Sequence, residues 1–267
     1  MSEPLYPASQ VLSLAMDIGK SMIRCGAEIN RVEETVMRIC RAYGMQQTDV
    51  FSIVSMIVGT TRDQNGTEVT LSRRVYSYAT NFMQLEQLNA LSRKLCAKPV
   101  DPASVRPALE EIRHDPVKLH PTVCIGYLIA AAAFTLFFGG SWKDALASVP
   151  IAVILWLIGS LVKVHGMSKL FVTALSSATA GFLAIAFVKL GLADHAGMIM
   201  IGNVMLVIPG LMLINSVREM LCGDLMSGML RLLESLILSL AIACGFAVPI
   251  LIFGTGGVSW IRNKRFF

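Results

Sequence analysis

The sequence predicts an α-helical membrane protein, with five transmembrane helices preceded by a small α+β domain. Three observations lead there. Five uncharged apolar runs follow one another at residues 121–142, 145–162, 170–188, 196–217 and 235–261. The first 120 residues contain no such run, and they hold 14 Lys/Arg and 13 Asp/Glu of the chain's 23 and 18. The 267-residue chain is 54% hydrophobic and only 15% charged, with a mean hydropathy of +0.62. A helix of about 20 apolar residues crosses the ~30 Å hydrocarbon layer of a bilayer. One such run fits a buried core helix; five in series, joined by short polar links, do not fit a soluble fold. The change in composition at 116–121 divides the chain into a polar domain, 1–118, and a membrane domain, 119–267.

In the polar domain, residues 9–43 read as helix. Leu12, Ala15, Gly19, Met22 and Ile23 form one apolar stripe, and Val32, Val36, Ile39, Cys40 and Tyr43 form another. Cys25-Gly26 interrupts them, so two helices with a bend are predicted. Glu33 and Glu34 fall near the start of the second, where the helix dipole favours anions, and Gly44 ends it. Residues 51–61, rich in Val, Ile, Ser and Thr, read as a strand. Asp63-Gln64-Asn65-Gly66 and the alternating run 67–76 complete an Asn-Gly hairpin. Residues 82–95 return to helical spacing through Leu85, Leu88, Leu91 and Leu95. Pro99, Pro102 and Pro107 predict an extended linker, with a short helix at 110–113 leading to the bilayer.

Several function classes are disfavoured. A net charge of +5, spread along the chain with no basic run interleaved with aromatics, does not suggest nucleic acid. Six cysteines show no CxxC and no pairing rhythm, as expected of unpaired thiols in a reducing compartment. The N-terminal MSEPLYPAS has neither a basic n-region nor an apolar h-region, so the first membrane helix is expected to serve as the insertion signal. There is no GxSxG, HExxH, P-loop or dinucleotide fingerprint. Glu28, Arg31, Glu33 and Glu34 cluster within seven residues. Glu28 and Arg31 are spaced to pair on one helix face, and the group reads either as a solvated charged face or as a catalytic carboxylate pair. His114 and His120 flank Asp115, yet no third or fourth ligand is spaced to join them in a metal site. Neither metal nor cofactor is expected.

In the membrane domain, the first two helices read as structural, with small residues at Ala130–Ala133 for close packing. Thr173, Ser176, Ser177, Thr179 and Gly181 of the third mark helix contacts or, alternatively, a polar path. The fourth run, 196–217, contains Gly202-Asn203, Pro209-Gly210 and Asn215. Proline removes a backbone donor and clashes with the preceding turn. In a bilayer the freed carbonyls need partners, so a broken helix is tolerated only against protein or a wet cavity. Transporters place ligands at such breaks; a simple proline kink that holds nothing is the alternative. Between this run and the last lie five charges of both signs, Arg218, Glu219, Asp224, Arg231 and Glu234, among Met and Leu residues too apolar for a free loop. The segment reads as a helix turn dipping into the interface with its charges facing inward and pairing. Ionisable groups at that depth usually mark function, though Arg231 and Glu234, three apart, are spaced to pair as structure alone.

The block Asn203…Pro209-Gly210…Asn215-Ser216-Val217-Arg218-Glu219…Gly223-Asp224…Ser227-Gly228…Arg231…Glu234 resembles the threonine/serine exporter family. So does the segment Gly26-Ala27-Glu28…Arg31-Val32-Glu33. The resemblance covers residues 9–253. It implies a cytoplasmic N-terminal domain, five membrane helices, and a second five-helix half. In fused members the second half lies in the same chain. In split members it is a separate small protein, and at least one such pair is assigned to succinate export. This chain, with five helices, resembles the first half.

With the N-terminal domain inside, seven basic residues (Arg106, Arg113, Lys118, Lys163, Lys169, Arg218, Arg231) flank the inner ends and five (Lys143, Lys189, Arg262, Lys264, Arg265) the outer, a small positive-inside bias opposed by the basic tail. The expectation is therefore a multi-pass plasma-membrane subunit of a secondary transporter, not an enzyme. It would export threonine or serine, or alternatively a dicarboxylate, with a second five-helix subunit or a further copy of itself. Arg218 would hold a substrate carboxylate or lock an inner gate, Asp224 or Glu219 would relay a proton, and Asn203, Asn215 and the carbonyls freed at Pro209 would offer neutral contacts. The contrasting expectation is a membrane-anchored enzyme or sensor acting through a Glu28/Arg31/Glu33 pocket.

Overall fold

The computed structural model of the chain describes residues 6–76, 80–114, 121–165 and 168–253, with backbone alone at 121 and 161–165. The chain divides into two compact units. The first comprises Met1–Pro116 together with Met212–Leu232, and the second comprises Val117–Leu211 with Leu233–Phe267. Residues 212–232, placed with the membrane helices by composition, thus belong to the compact unit built around the polar domain.

In the first unit, α1 (Ala8–Arg24) and α2 (Ile29–Ala42) are separate helices either side of Cys25-Gly26, as the periodicity predicts. α1 is buried almost all round: beyond the predicted stripe, Val11, Leu14, Met16 and Ile18 are 1% exposed or less. The reason is its central place, in contact with α2, with two strands of the sheet and with the two helices that follow the sheet. Gly19 lets α2 come close, since a Cβ there would lie 2.8 Å from Val36 Cγ2. Gly44 does end α2, with Met45 N–H bonded to Cys40 C=O.

The predicted two-stranded hairpin is a three-stranded antiparallel sheet, β1 (Gln47–Ile53), β2 (Met56–Arg62) and β3 (Glu68–Arg74), in the order β1-β2-β3. The run read as one strand turns back at Val54-Ser55, pairing Ile53 with Met56 and Gln47 with Arg62. The Asn-Gly turn stands as predicted. Asp63 Oδ1 accepts from the N–H of Asn65 and Thr67, both at 2.9 Å. Cross-strand hydroxyl pairs Thr48–Thr61 and Thr60–Thr70, each at 2.8 Å, support the register.

α3 runs Phe82–Ala97, capped by Asn81. The proline linker is corrected: Pro102–Arg113 is one helix, α4, with Pro107 inside it. Asp101 caps it and Pro102 fills the first turn, where no N–H is needed. Burial of Val105 and Leu109, and Arg113 bonds to Ser21 Oγ and Asp17 C=O, hold it against α1. Arg73 Nε meets Asp17 Oδ1 at 2.9 Å, tying β3 to the same helix.

The second unit is helical: α5 (Pro121–Phe137), α6 (Trp142–His165), α7 (Lys169–Lys189), α8 (Ala196–Val204), the start of α9 (Gly210–Leu221) and most of α10 (Leu225–Phe253). Three stretches are long and apolar enough to cross a membrane, Trp142–Ser160, Lys169–Lys189 and Leu225–Phe253; Thr122–Phe137 is a shorter apolar helix. Its core is made of small and branched side chains, among them Ile151, Ala180, Ala184, Ala196 and Ile199. Close approach is literal. A Cβ at Gly245 would sit 2.6 Å from Ala174 C=O, and one at Gly181 would sit 2.6 Å from Pro249 Cγ. The hydroxyls of Ser177 and Thr179 bond back to their own helix, at Thr173 and Leu175 C=O. That is how small polar residues behave at helix contacts.

Candidate functional site

The 196–217 run is two helices. In α8 the regular ladder gives way at Leu206 N–H, which reaches Asn203 C=O, while Val207 and Ile208 N–H share Val204 C=O. Residues 205–209 are not helical, and α9 restarts at Gly210. Asn203, one residue before the end of α8, is fully buried. Gly202 beside it lies against Thr135 of α5, whose Oγ1 is 2.0 Å from where a Cβ would stand.

The two motif segments meet within the first unit. α1 ends at Gly26, whose φ of 85° suits a residue without Cβ, with Ala27 N–H bonded back to Met22 C=O. α9 ends in the same way at Gly223, φ 99°, with Asp224 N–H bonded to Glu219 C=O. These turns set the backbone around two ion pairs. Arg231, in the second turn of α10, places Nη1 3.2 Å from Glu219 Oε1, with side chains only 3% and 2% exposed. Its Nη2 donates to Ala27 C=O at 2.9 Å. Arg218 Nη1 is 2.7 Å from Glu28 Oε1, but this pair is open to water, with side chains 55% and 25% exposed. Asn30 Nδ2 adds a long bond, 3.5 Å, to Cys222 C=O. α9 and α10 cross tightly at Gly228, where a Cβ would sit 2.7 Å from Ser216 C=O.

Glu219 also faces the Ile29 N–H at the start of α2, a helix whose own N-cap side chain makes no capping bond. Neither carboxylate oxygen has a well-formed hydrogen bond, so Glu219 rests on Arg231 and on the positive end of α2. Burial pushes its pKa up; the Arg231 charge opposes that, and Asp224 and Glu28 add to it. Burial raises Asp224 as well. Glu33 accepts from Ser52 N–H at 2.6 Å and Ser52 Oγ at 3.0 Å. Burial nevertheless raises it, with a further contribution from Asp224.

Two expected arrangements are corrected. Glu28 pairs with Arg218 across 190 residues of chain and leaves Arg31 on the exposed surface; long-range packing overrides the three-residue spacing. Glu33 is drawn to β1 through Ser52, so Glu28, Arg31 and Glu33 do not close into one pocket. Arg231 pairs with Glu219, and Glu234 lies 3.6 Å from Lys169. Asn215 is half-buried on α9, and Gly210 has room for a side chain, its ideal Cβ meeting only Ile208 Cγ2 at 4.0 Å. Asp115 and His120 lie outside the described residues. Among the described residues no three His, Cys, Asp or Glu side chains gather as a metal site, and the six cysteines are free.

One polar cluster was missed in the sequence. Asp144, fully buried in the first turn of α6, accepts from Ser141, Asp194 and His195 N–H, each at 2.8 Å, and lies 3.0 Å from His195 Nδ1. Asp144 N–H returns a bond to Ser141 Oγ. The Ser-x-x-Asp spacing of this capping box was a legible signal.

Comparison with known proteins agrees with these motifs. Residues 13–253 match the family model described as "Putative threonine/serine exporter". The chain is 22% identical over 246 residues to the "Probable threonine/serine exporter" of Mycobacterium tuberculosis, covering 90% of this chain and 46% of that protein. It is 23% identical over 253 residues to the "Threonine/serine exporter" of Corynebacterium glutamicum, covering 90% and 50%. It is 23% identical over 256 residues to the "Probable succinate transporter subunit YjjP" of Escherichia coli, covering 94% and 97%. The chain thus spans about half the length of the two exporters and nearly all of the succinate subunit. No solved structure matches it. With the family model matching from α1 to the end of α10, across both motif segments, the chain belongs to the threonine/serine exporter family of membrane transport proteins.

Proposed function

We propose that the chain is one subunit of a secondary transporter exporting a small hydrophilic metabolite, threonine or serine first, a dicarboxylate second. It crosses the plasma membrane five times with its polar domain in the cytoplasm, and it works with a second five-helix subunit. The observation that carries the reading is the convergence of the two motif segments on the ion pairs Arg231–Glu219 and Arg218–Glu28. Their different exposure suggests different work. The buried pair pins α9 and α10 to the α1–α2 turn. The open pair can exchange, so that a substrate carboxylate takes Arg218 from Glu28, and either candidate substrate supplies one. Glu219 and Asp224, whose pKa values are raised by burial, suit a proton relay beside it. A relative named as a transporter subunit, matched over 97% of its length, supports an assembly of more than one subunit.

The break between α8 and α9 supplies the polar backbone of the path. Pro209→Ala with Gly210→Ala restores a donor and raises helix propensity, by ~1 kcal/mol at the glycine alone. The variant is expected at normal membrane abundance with export of labelled threonine and succinate at background. Unchanged export at matched abundance overturns the reading. The need for a partner is checked in the same work, because robust flux through liposomes holding this chain alone overturns it.

A further inference from the structure

The side-chain amide of Asn203 is fully buried, yet only half of it is used. Its Nδ2 donates to Ile199 C=O at 2.9 Å, one turn back in α8. Its Oδ1 is buried with no hydrogen-bond partner among the described residues. Turning the amide over does not cure this, because it would set Oδ1 against the Ile199 carbonyl, acceptor on acceptor. A buried amide oxygen without a donor is a standing cost that folded proteins usually avoid. It stands at the last turn of a helix that stops inside an apolar run. The described parts of the five apolar runs carry no charged side chain that would satisfy it. The neighbouring hydroxyl, Thr135 Oγ1, gives its proton to Ala131 C=O and so keeps only acceptor capacity.

We propose that Asn203 is a specificity-determining residue of the transport path, its Oδ1 accepting a hydrogen bond from an ammonium or hydroxyl group of the solute. This rests on the reading that solute passes the α8–α9 break. The chemistry is one-sided. With Nδ2 committed to Ile199, the side chain offers an acceptor and no donor. A solute that brings N–H or O–H donors completes the amide. A fully ionised dicarboxylate brings only acceptors and is repelled by the same oxygen. Thr135 Oγ1, on the helix packed against Gly202, has the same polarity and strengthens the preference.

The test replaces the chromosomal copy, so that any partner is present, and follows efflux from membrane vesicles of the native host. Labelled threonine, 2-aminobutyrate and succinate are compared at matched abundance. Asn203→Leu removes the acceptor and keeps the volume. The expected result is a fall of about 10–100-fold in efflux of threonine and 2-aminobutyrate, from loss of one buried hydrogen bond. Succinate efflux is expected unchanged or higher, and thermal stability unchanged or raised. Asn203→Ala, which likewise lacks an acceptor, is expected to show the same selectivity if the leucine variant accumulates poorly. An equal loss for all three solutes, or a wild-type efflux ratio in both variants, overturns the proposal. Wild-type vesicles that export succinate and neither amino acid also overturn it. The Pro209/Gly210 variant separates the two ideas. If closing the break abolishes efflux while the Asn203 variants keep the wild-type ratio, the specificity role falls and the path through the break stands. If closing the break changes nothing, the underlying reading falls.

Discussion

Arg231→Met strands the Glu219 carboxylate. In the wild type that carboxylate is 2% exposed, 3.2 Å from Arg231 Nη1, and without a well-formed hydrogen bond. Removing one partner of such a pair leaves an uncompensated buried charge and costs about 3–5 kcal/mol. For a domain of 150–250 residues each kcal/mol moves the melting temperature by roughly 2–4 °C, so the expected drop is roughly 6–20 °C. Glu219→Leu strands Arg231 and is expected to fall in the same range. Arg231→Met with Glu219→Leu removes both charges and keeps the volume, which is often neutral or better. Ala27 C=O also loses the Arg231 Nη2 bond, worth about 1 kcal/mol. The double variant should therefore melt within a few degrees of wild type, far above either single one. The assay is thermal unfolding of the purified full chain in detergent, read as a double-mutant cycle. Melting temperatures that fall additively, or single variants within ~2 °C of wild type, would refute the reasoning that this pair is buried and coupled.

Two further outcomes follow from geometry and titration. The raised pKa values of Glu33, Glu219 and Asp224 mean that the folded chain holds more protons than the unfolded one above the ordinary carboxylate range. Stability contributed this way is present at low pH and is lost as pH rises from that range through the raised values. Asp224→Asn removes one such group and relieves Glu33 and Glu219, so the melting temperature should rise at pH 7 and vary less between pH 5 and 8; an unchanged pH slope would contradict this. Gly245→Ala drives a methyl into the α7 backbone at Ala174 C=O and Ala178 N, atoms that cannot turn aside. A loss of about 1–3 kcal/mol in thermal unfolding is expected, and a variant as stable as wild type would show that the helices have room.

What was legible in the sequence depended on range. Local signals read well: Gly26 and Gly44 closed their helices, and Asn65-Gly66 marked its turn. The β1–β2 turn at Val54-Ser55 was invisible because this pair lacks the Gly or Asn that marks a two-residue hairpin, so two strands merged into one. At α4 the prolines outweighed the cap: Asp101 and Pro102 announced a helix start, and burial of Val105 and Leu109 outweighed the cost of Pro107. Charge pairing misled where it was read from near neighbours, since Glu28 found in Arg218 a partner that no spacing rule reaches. Asn203 stood out as a polar residue in an apolar run, but its unmet oxygen is a property of packing alone.

Asp144 has a consequence for how the helices come together during synthesis. Its capping box with Ser141 can close as soon as the start of α6 is made. The donors from Asp194 and His195 arrive about fifty residues later. Until then a carboxylate destined for burial keeps part of its acceptor capacity open to solvent. Docking of α8 onto α6 is thus a late step of biogenesis, closed by a single acid that serves the first turns of two helices. Damage at this corner should register first as turnover of the newly made chain by quality control, before any altered transport is seen.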